Sequence, residues 1–294
     1  MRNIKNILLV MFILIICFVN KDVAQAKSWQ ELKGDHFIVY FEGEDEFAKN
    51  VLDNAEVYYK RIAFKLGYNR YSDFWTWDKR VKVYIYEDHK SYIKYSGQPK
   101  WSHGMADYTN KQIASYTWGE NFVESLLPHE IAHLIFRDFV GFKGDVPLWL
   151  DEGVAQWAEK ENKEKIQFME RKYYKEDMFF TLEDMMRINL NVLSKKKGIH
   201  IRATLTRSGE PGVLFLSTDN LITTYYMEAV SLVNFLISRY GTKRFNDFCC
   251  QLRDGKDMNG SLKAAYSVHF SNIKELEKEW RGYLEKGLST DNTN

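Results

Sequence analysis

The segment that most constrains this chain is His129-Glu130-Ile131-Ala132-His133. On a helix, residues four apart share a face, so both imidazoles can aim at one ion. Glu130 is turned about 100° from His129 by the ~3.6-residue period, which sets its carboxylate beside that ion rather than on it. That is where a base would sit to take a proton from a water on the metal. Leu126, Leu127, Ile131, Leu134 and Ile135 make the rest of the segment apolar and confine polarity to the motif. Gly141 offers a helix stop, and Pro128 is tolerable in the first turn or as a kink. Chance alone produces H-E-x-x-H in about one sequence in a hundred of this composition. A third ligand has to decide the matter.

The stretch Leu148-Trp149-Leu150-Asp151-Glu152-Gly153-Val154-Ala155 offers that ligand. Eighteen residues separate His133 from Glu152, enough to finish one helix, turn through 141–147 and return on a second. A carboxylate among Trp149, Leu150, Val154, Ala155 and Trp157 is costly to bury without a partner. Asp151 competes for the role, although a shift of one position rotates it away if Glu152 faces the ion. A catalytic zinc site takes three such donors in a tetrahedron and leaves the fourth position to water.

Around these helices the pattern is mixed. Residues 36–41 (HFIVYF) and 80–86 (RVKVYIY) are β-branched and aromatic and read as strands. Between them, Phe47, Val51, Leu52, Ala55, Tyr58, Tyr59 and Ile62 recur at helical spacing over 45–66, with Gly67 as the stop. A short helix is expected at 88–95 and a strand at 111–117. Helices then dominate, near 149–164, 166–174, 221–240, 242–253, 261–266 and 273–285. The segment 194–219 carries Lys195, Lys196, Lys197, Gly198, Gly209 and the pair Pro211-Gly212, and reads as a loop or a β-hairpin.

The first residues read as an address. Arg2 and Lys5 precede an unbroken apolar run over 7–19, and Ala24-Gln25-Ala26 forms an A-x-A site. This is the pattern of a secretory signal peptide cut after Ala26. Thirteen apolar residues reach roughly 20 Å, short of the ~30 Å hydrocarbon core, and no later stretch reads as long enough to span a bilayer. A lipid anchor through Cys17 is disfavoured by bulky Ile16 before it. The remaining 268 residues of the 294 carry 38 basic and 39 acidic side chains, without the basic excess of a nucleic-acid binder. Export exposes thiols to oxidation, yet Cys249 and Cys250 are sequence neighbours and too close for an unstrained disulfide. Both are expected as small buried hydrophobes.

His129-Glu130-x-x-His133 with Glu152 inside Trp149-Leu150-Asp151-Glu152-Gly153 resembles the gluzincin metallopeptidases, most of all the peptidase-MA-like proteins of their zinc-aminopeptidase-like branch. The resemblance is convincing over about 111–241, and its motifs are confined to 127–157. It implies one Zn2+ ion held by His129, His133 and Glu152, with Glu130 as general base and later general acid. It implies a tyrosine hydroxyl for the oxyanion from the segment that starts at Tyr226-Met227-Glu228-Ala229, with Tyr225 as the alternative. It also places 111–117 like the edge strand that pairs with substrate backbone, although an ordinary sheet strand fits equally. The departures are specific. Where aminopeptidases carry Gly-x-Met-Glu-Asn, this chain has His103-Gly104-Met105-Ala106-Asp107, with alanine in place of the amine-binding glutamate. The carboxylate that often follows the third ligand by four residues is Gln156 here.

The expected fold is α+β and thermolysin-like: a small mixed α/β lobe with a sheet edge strand above a zinc-binding helix pair, then a mostly helical lobe. The expected divisions are a signal peptide over 1–26, a catalytic lobe over 27–160, a helical lobe over 161–287 completing the cleft, and a polar, disordered tail over 288–294. The expected function is that of a secreted zinc metallopeptidase, free or wall-associated, with peptide or protein substrates and no nucleic-acid partner. The alternatives are a zinc hydrolase of a non-peptide or cell-wall amide bond and a non-catalytic zinc-containing peptide- or wall-binding protein. Oligomeric state is left open.

Overall fold

Alternating burial builds the sheet. Strands β2 (Phe37–Phe41) and β3 (Val81–Tyr86) turn Phe37, Val39, Phe41, Val81, Val83 and Ile85 into the core, as a period of two requires. The intervening side chains stay half-buried. β5 (Gln112–Tyr116) runs parallel to β3, as β3 does to β2. With β1 (Gln30–Lys33) and β4 (Gly104–Asp107) the strand order is β1-β2-β3-β5-β4, and β4 is antiparallel to β5. The computed structural model describes residues 29–43, 45–68, 75–100, 102–119, 121–141, 146–159, 163–193 and 197–291. The expected signal segment, its cleavage site and the expected lobe boundary after 160 lie outside them.

Helix α1 (Asp45–Lys65) follows β2, buries Val51, Ala55, Tyr58, Tyr59 and Ile62 and is closed by Gly67 at φ 75°, as its spacing predicts. α2 (His89–Ser96) is capped by Asp88, whose carboxylate accepts from the Ser91 amide. Before α3 (Leu127–Val140) the chain makes a π-helical turn, Phe122–Leu126, in which the Leu127 amide reaches back to the Phe122 carbonyl. That wider turn admits Pro128 to a continuous helical path, where a regular turn would press its ring against the carbonyl four residues earlier. α4 (Leu148–Ala158) returns from α3.

Helices then prevail: α5 (Lys163–Lys175), the short α6 (Leu182–Met185) and α7 (Leu190–Leu193), α8 (Thr218–Tyr240), α9 (Thr242–Arg253), α10 (Met258–Tyr266) and α11 (Ile273–Asp291). The architecture is therefore mixed α+β with a helical C-terminal part, as expected. Within 194–219 the hairpin alternative is the one realised, with β6 (Ile199–Leu205) antiparallel to β7 (Pro211–Ser217).

The structure corrects four expectations. Strand 111–117 is interior, flanked by β3 and β4; the edge is β4, whose four residues Gly-Met-Ala-Asp carry little strand signal. The last helix runs to Asp291, into the stretch expected as a disordered tail, because extending a helix costs far less than nucleating one. Helix α8 is long and apolar enough to cross a membrane, although 61% of its apolar window is buried inside the fold. Cys249 is buried, its thiol pushed up to about 12 by burial, but Cys250 is only half-buried.

A polar knot underlies the hairpin. Glu228 on α8 is fully buried; one carboxylate oxygen accepts from the Phe180 amide at 2.9 Å and the other has no hydrogen-bond partner among the described residues. Arg281 bonds Glu277 at 2.9 Å and donates to the Phe180 and Leu205 carbonyls. Burial lifts the Glu228 carboxyl well above its ordinary value of 4.5; Arg281 and the Phe180 amide oppose this, and Glu277 and Asp184 add to it. The folded state thus keeps a proton that the unfolded state releases, so stability falls as pH rises from the unfolded pKa through the folded one. Glu228→Gln should remove that slope. Thermal melts from about pH 5 to about pH 8 should show the variant gaining on wild type as pH rises; parallel curves would refute the assignment.

Candidate metal centre

Two helices make the centre. α3 carries His129, Glu130 and His133, and α4 carries Glu152. The Nε2 atoms of His129 and His133 stand 3.1 Å apart, and Glu152 Oε2 lies 3.8 Å from the first and 3.6 Å from the second. On a tetrahedral ion with bonds of about 2.0–2.2 Å, donors sit about 3.3–3.6 Å apart. The observed separations of 3.1, 3.6 and 3.8 Å bracket that range, so the three groups could hold a single cation.

The far side of each imidazole is tied to a carboxylate. His133 Nδ1 pairs with Asp151 Oδ1 at 3.0 Å, and His129 Nδ1 with Glu159 Oε1 at 2.9 Å. Such ties fix the tautomer and orientation of a ligating histidine, leaving Nε2 for the metal. Asp151 in turn accepts from Arg137 Nε at 3.0 Å and Nη2 at 2.7 Å, while Ser125 Oγ donates to Glu159 at 3.0 Å. Asp151, the competing ligand by sequence, is thus the support of His133.

Glu159 escaped the sequence reading. α4 was expected to continue to 164 but ends at Ala158, where Glu159 takes an extended ψ of 136°. The turn-out lets its carboxylate reach His129. The carboxylate against His129 therefore comes from Glu159, seven residues after Glu152, and not from position 156, which is Gln156.

Glu130 is buried beside the donors. Burial, with Glu152 and Asp151 adding, outweighs the pull of His129 and His133 and lifts its carboxyl above the usual range. His133 shows the converse. Burial opposes its charge, but the hydrogen bonds to Asp151 and Glu152 prevail and raise its pKa well above the ordinary value.

Gly153 explains how α4 reaches α8. A Cβ there would lie 2.5 Å from the Ala229 carbonyl oxygen, so only glycine permits this approach. It brings Glu152 towards the tyrosine pair. Tyr225 is 1% exposed and belongs to the core. Tyr226 is half-buried; its hydroxyl is raised by burial and then by Glu152 and Glu130, and the Tyr225 hydroxyl by burial and then by Glu152, Tyr226 and Glu228.

Among the described residues no other histidine joins this group of donors. His89 bonds the Ser102 carbonyl, His103 the Tyr116 hydroxyl and His200 the Thr218 hydroxyl. Asp35, His36 and Glu56 lie close enough to hold an ion. However, both Glu56 oxygens are engaged by His36, one with its amide at 2.7 Å and one with Nδ1 at 2.6 Å.

No family model matches this chain, and no curated protein matches it.

Proposed function

We propose that the chain is an exported zinc-dependent metallopeptidase of the gluzincin type, with a thermolysin-like catalytic arrangement. One observation carries the reading: two histidines and a glutamate converge on one point, both histidines are backed by carboxylates, and a second glutamate stands free of the donor set beside it. Two nitrogens and one oxygen with an open fourth position suit zinc in a hydrolytic role. A purely structural zinc site is closed and has no use for Glu130.

When bound, the ion would polarise a scissile carbonyl and lower the pKa of a water. Glu130 takes the proton of the attacking water and passes it to the leaving amine. Burial suits it to both tasks, since a raised carboxyl accepts and returns a proton more evenly near neutral pH. Tyr226 is the donor to the developing oxyanion, because it is half-buried and shares its surroundings with Glu152 and Glu130. The open side of β4 offers the backbone of an extended peptide a strand to pair with. Export rests on the basic start, the apolar run over 7–19 and Ala24-Gln25-Ala26.

The test is metal content together with cleavage of a mixed peptide library, with and without chelator. Bound zinc and cleavage abolished by chelation and restored by zinc are expected. Zinc without cleavage of any peptide would move the reading to a non-peptide amide or ester hydrolase or to a binding protein. Cleavage indifferent to chelation would end it.

A further inference from the structure

Tyr108 belongs to no motif of the sequence, yet it stands against the metal-binding group. It is the first residue of the turn between β4 and β5, and that turn is firmly built. The Asp107 carboxylate accepts from the amides of Thr109 at 2.9 Å and Asn110 at 3.1 Å and from the Asn110 side chain at 2.8 Å. Lys111 adopts the left-handed φ of 50° and sends its ammonium to Asp138 of α3 at 2.6 Å. The indole of Trp75 donates to the same Asp138 oxygen at 2.6 Å. The turn is thereby bolted to the helix that carries His129 and His133.

Held in this way, the Tyr108 ring meets two members of the centre's support. It stands edge-on to the His133 imidazole, with centroids 6.1 Å apart and planes at 82°. The Arg137 guanidinium lies 5.6 Å from its centroid. Arg137 grips Asp151 through two nitrogens, and Asp151 holds His133 Nδ1. His133, Asp151, Arg137 and Tyr108 therefore form a closed circuit drawn from α3, α4 and the β4–β5 turn.

We propose that Tyr108 is a positioning residue that fixes the ring of His133 for metal binding. The hydrogen bond at Nδ1 sets where the imidazole points, and the ring's swing about that bond is left to packing on its flank. An aromatic wall removes the swing. The same ring packs on the guanidinium, through which Arg137 keeps Asp151 aligned. Tyr108 acts through His133 and Asp151, and its ring is the part that meets the His133 imidazole and the Arg137 guanidinium. The proposal rests on the metal-centre reading above and adds the element that links the sheet edge to the ligand set.

The experiment compares Tyr108→Leu, Tyr108→Phe and Lys111→Met with wild type in the full chain. Zinc affinity is read by competition with a chromophoric chelator, and ligand geometry by the visible absorption of the Co2+ form. Losing an outer support of a metal ligand typically weakens metal binding about 10- to 100-fold. Tyr108→Leu should fall in that range and alter the Co2+ band. Tyr108→Phe, which keeps the ring, should stay within about threefold of wild type with the wild-type band. Lys111→Met, which unbolts the turn, should weaken zinc in the same direction by less.

Apo-protein melts identify any variant that fails to fold. Should Tyr108→Leu be one, Lys111→Met carries the test, and wild-type affinity there overturns the proposal. A folded Tyr108→Leu with wild-type zinc affinity and an unchanged Co2+ spectrum overturns it directly. Wild-type protein that takes up neither ion is a different failure, removing the metal centre itself.

Discussion

Glu130→Gln should bind zinc as tightly as wild type and hydrolyse peptide about 100- to 10,000-fold more slowly, the usual worth of a positioned general base. The amide keeps the shape of the side chain and its place beside the donors but cannot take a proton. Glu130 lies next to His129 in sequence yet makes none of the donor contacts among His129, His133 and Glu152, so metal uptake should survive. The loss should appear in kcat, with KM little changed, because the missing interaction belongs to the transition state. Metal loss in step with activity would place Glu130 among the ligands, and undiminished turnover would deny it any chemical role.

Asp151→Asn is expected to do the most damage to the fold. The Asp151 side chain is 3% exposed and pinned between His133 and Arg137. Breaking a buried ion pair by removing one partner costs about 3–5 kcal/mol. Arg137 retains some solvent access, so about 3 kcal/mol is the expectation for the apo protein, read as a lower urea midpoint at unchanged slope. Zinc affinity should fall about 10- to 100-fold as well.

The pH dependence has a definite sign. Burial alone would raise the Asp151 carboxyl, but the hydrogen bond and charge of His133, helped by Arg137, hold it below its ordinary 3.8. Its contribution is therefore present above the unfolded pKa and lost as pH falls through the lower folded one. The stability gap between wild type and variant should close on acidification below about pH 4. A gap constant down to the acid limit would mean the carboxylate is not what the amide replaced.

What could be read from sequence was whatever depends on local periodicity. Helix α1, strands β2 and β3 and the stop at Gly141 follow from spacing and a single glycine. The three candidate ligands followed too, because a four-residue helical repeat and a carboxylate set among apolar neighbours are local signals. What escaped was set by tertiary contact. β4 is four weak residues stabilised by pairing with β5, so nothing in its own composition marks it as the sheet edge. Glu159 becomes a partner of His129 because α4 stops before it, and that stop has no glycine or proline to announce it. Tyr225 and Tyr226 are equivalent by text and differ only once α8 has a buried face. Tyr108 is one tyrosine of 18 until the turn that holds it is folded against α3.

One consequence follows from how much of the centre a single short helix supplies. α4 and the residue just beyond it contribute the oxygen donor, the prop behind one imidazole and the prop behind the other: Glu152, Asp151 and Glu159. These three move as one part. Undocking α4 would strip an ion of its anionic partner and slacken both rings in the same event, so capture of the ion and seating of this helix amount to a single mechanical step. Ion release and local melting of 148–159 should then share one rate.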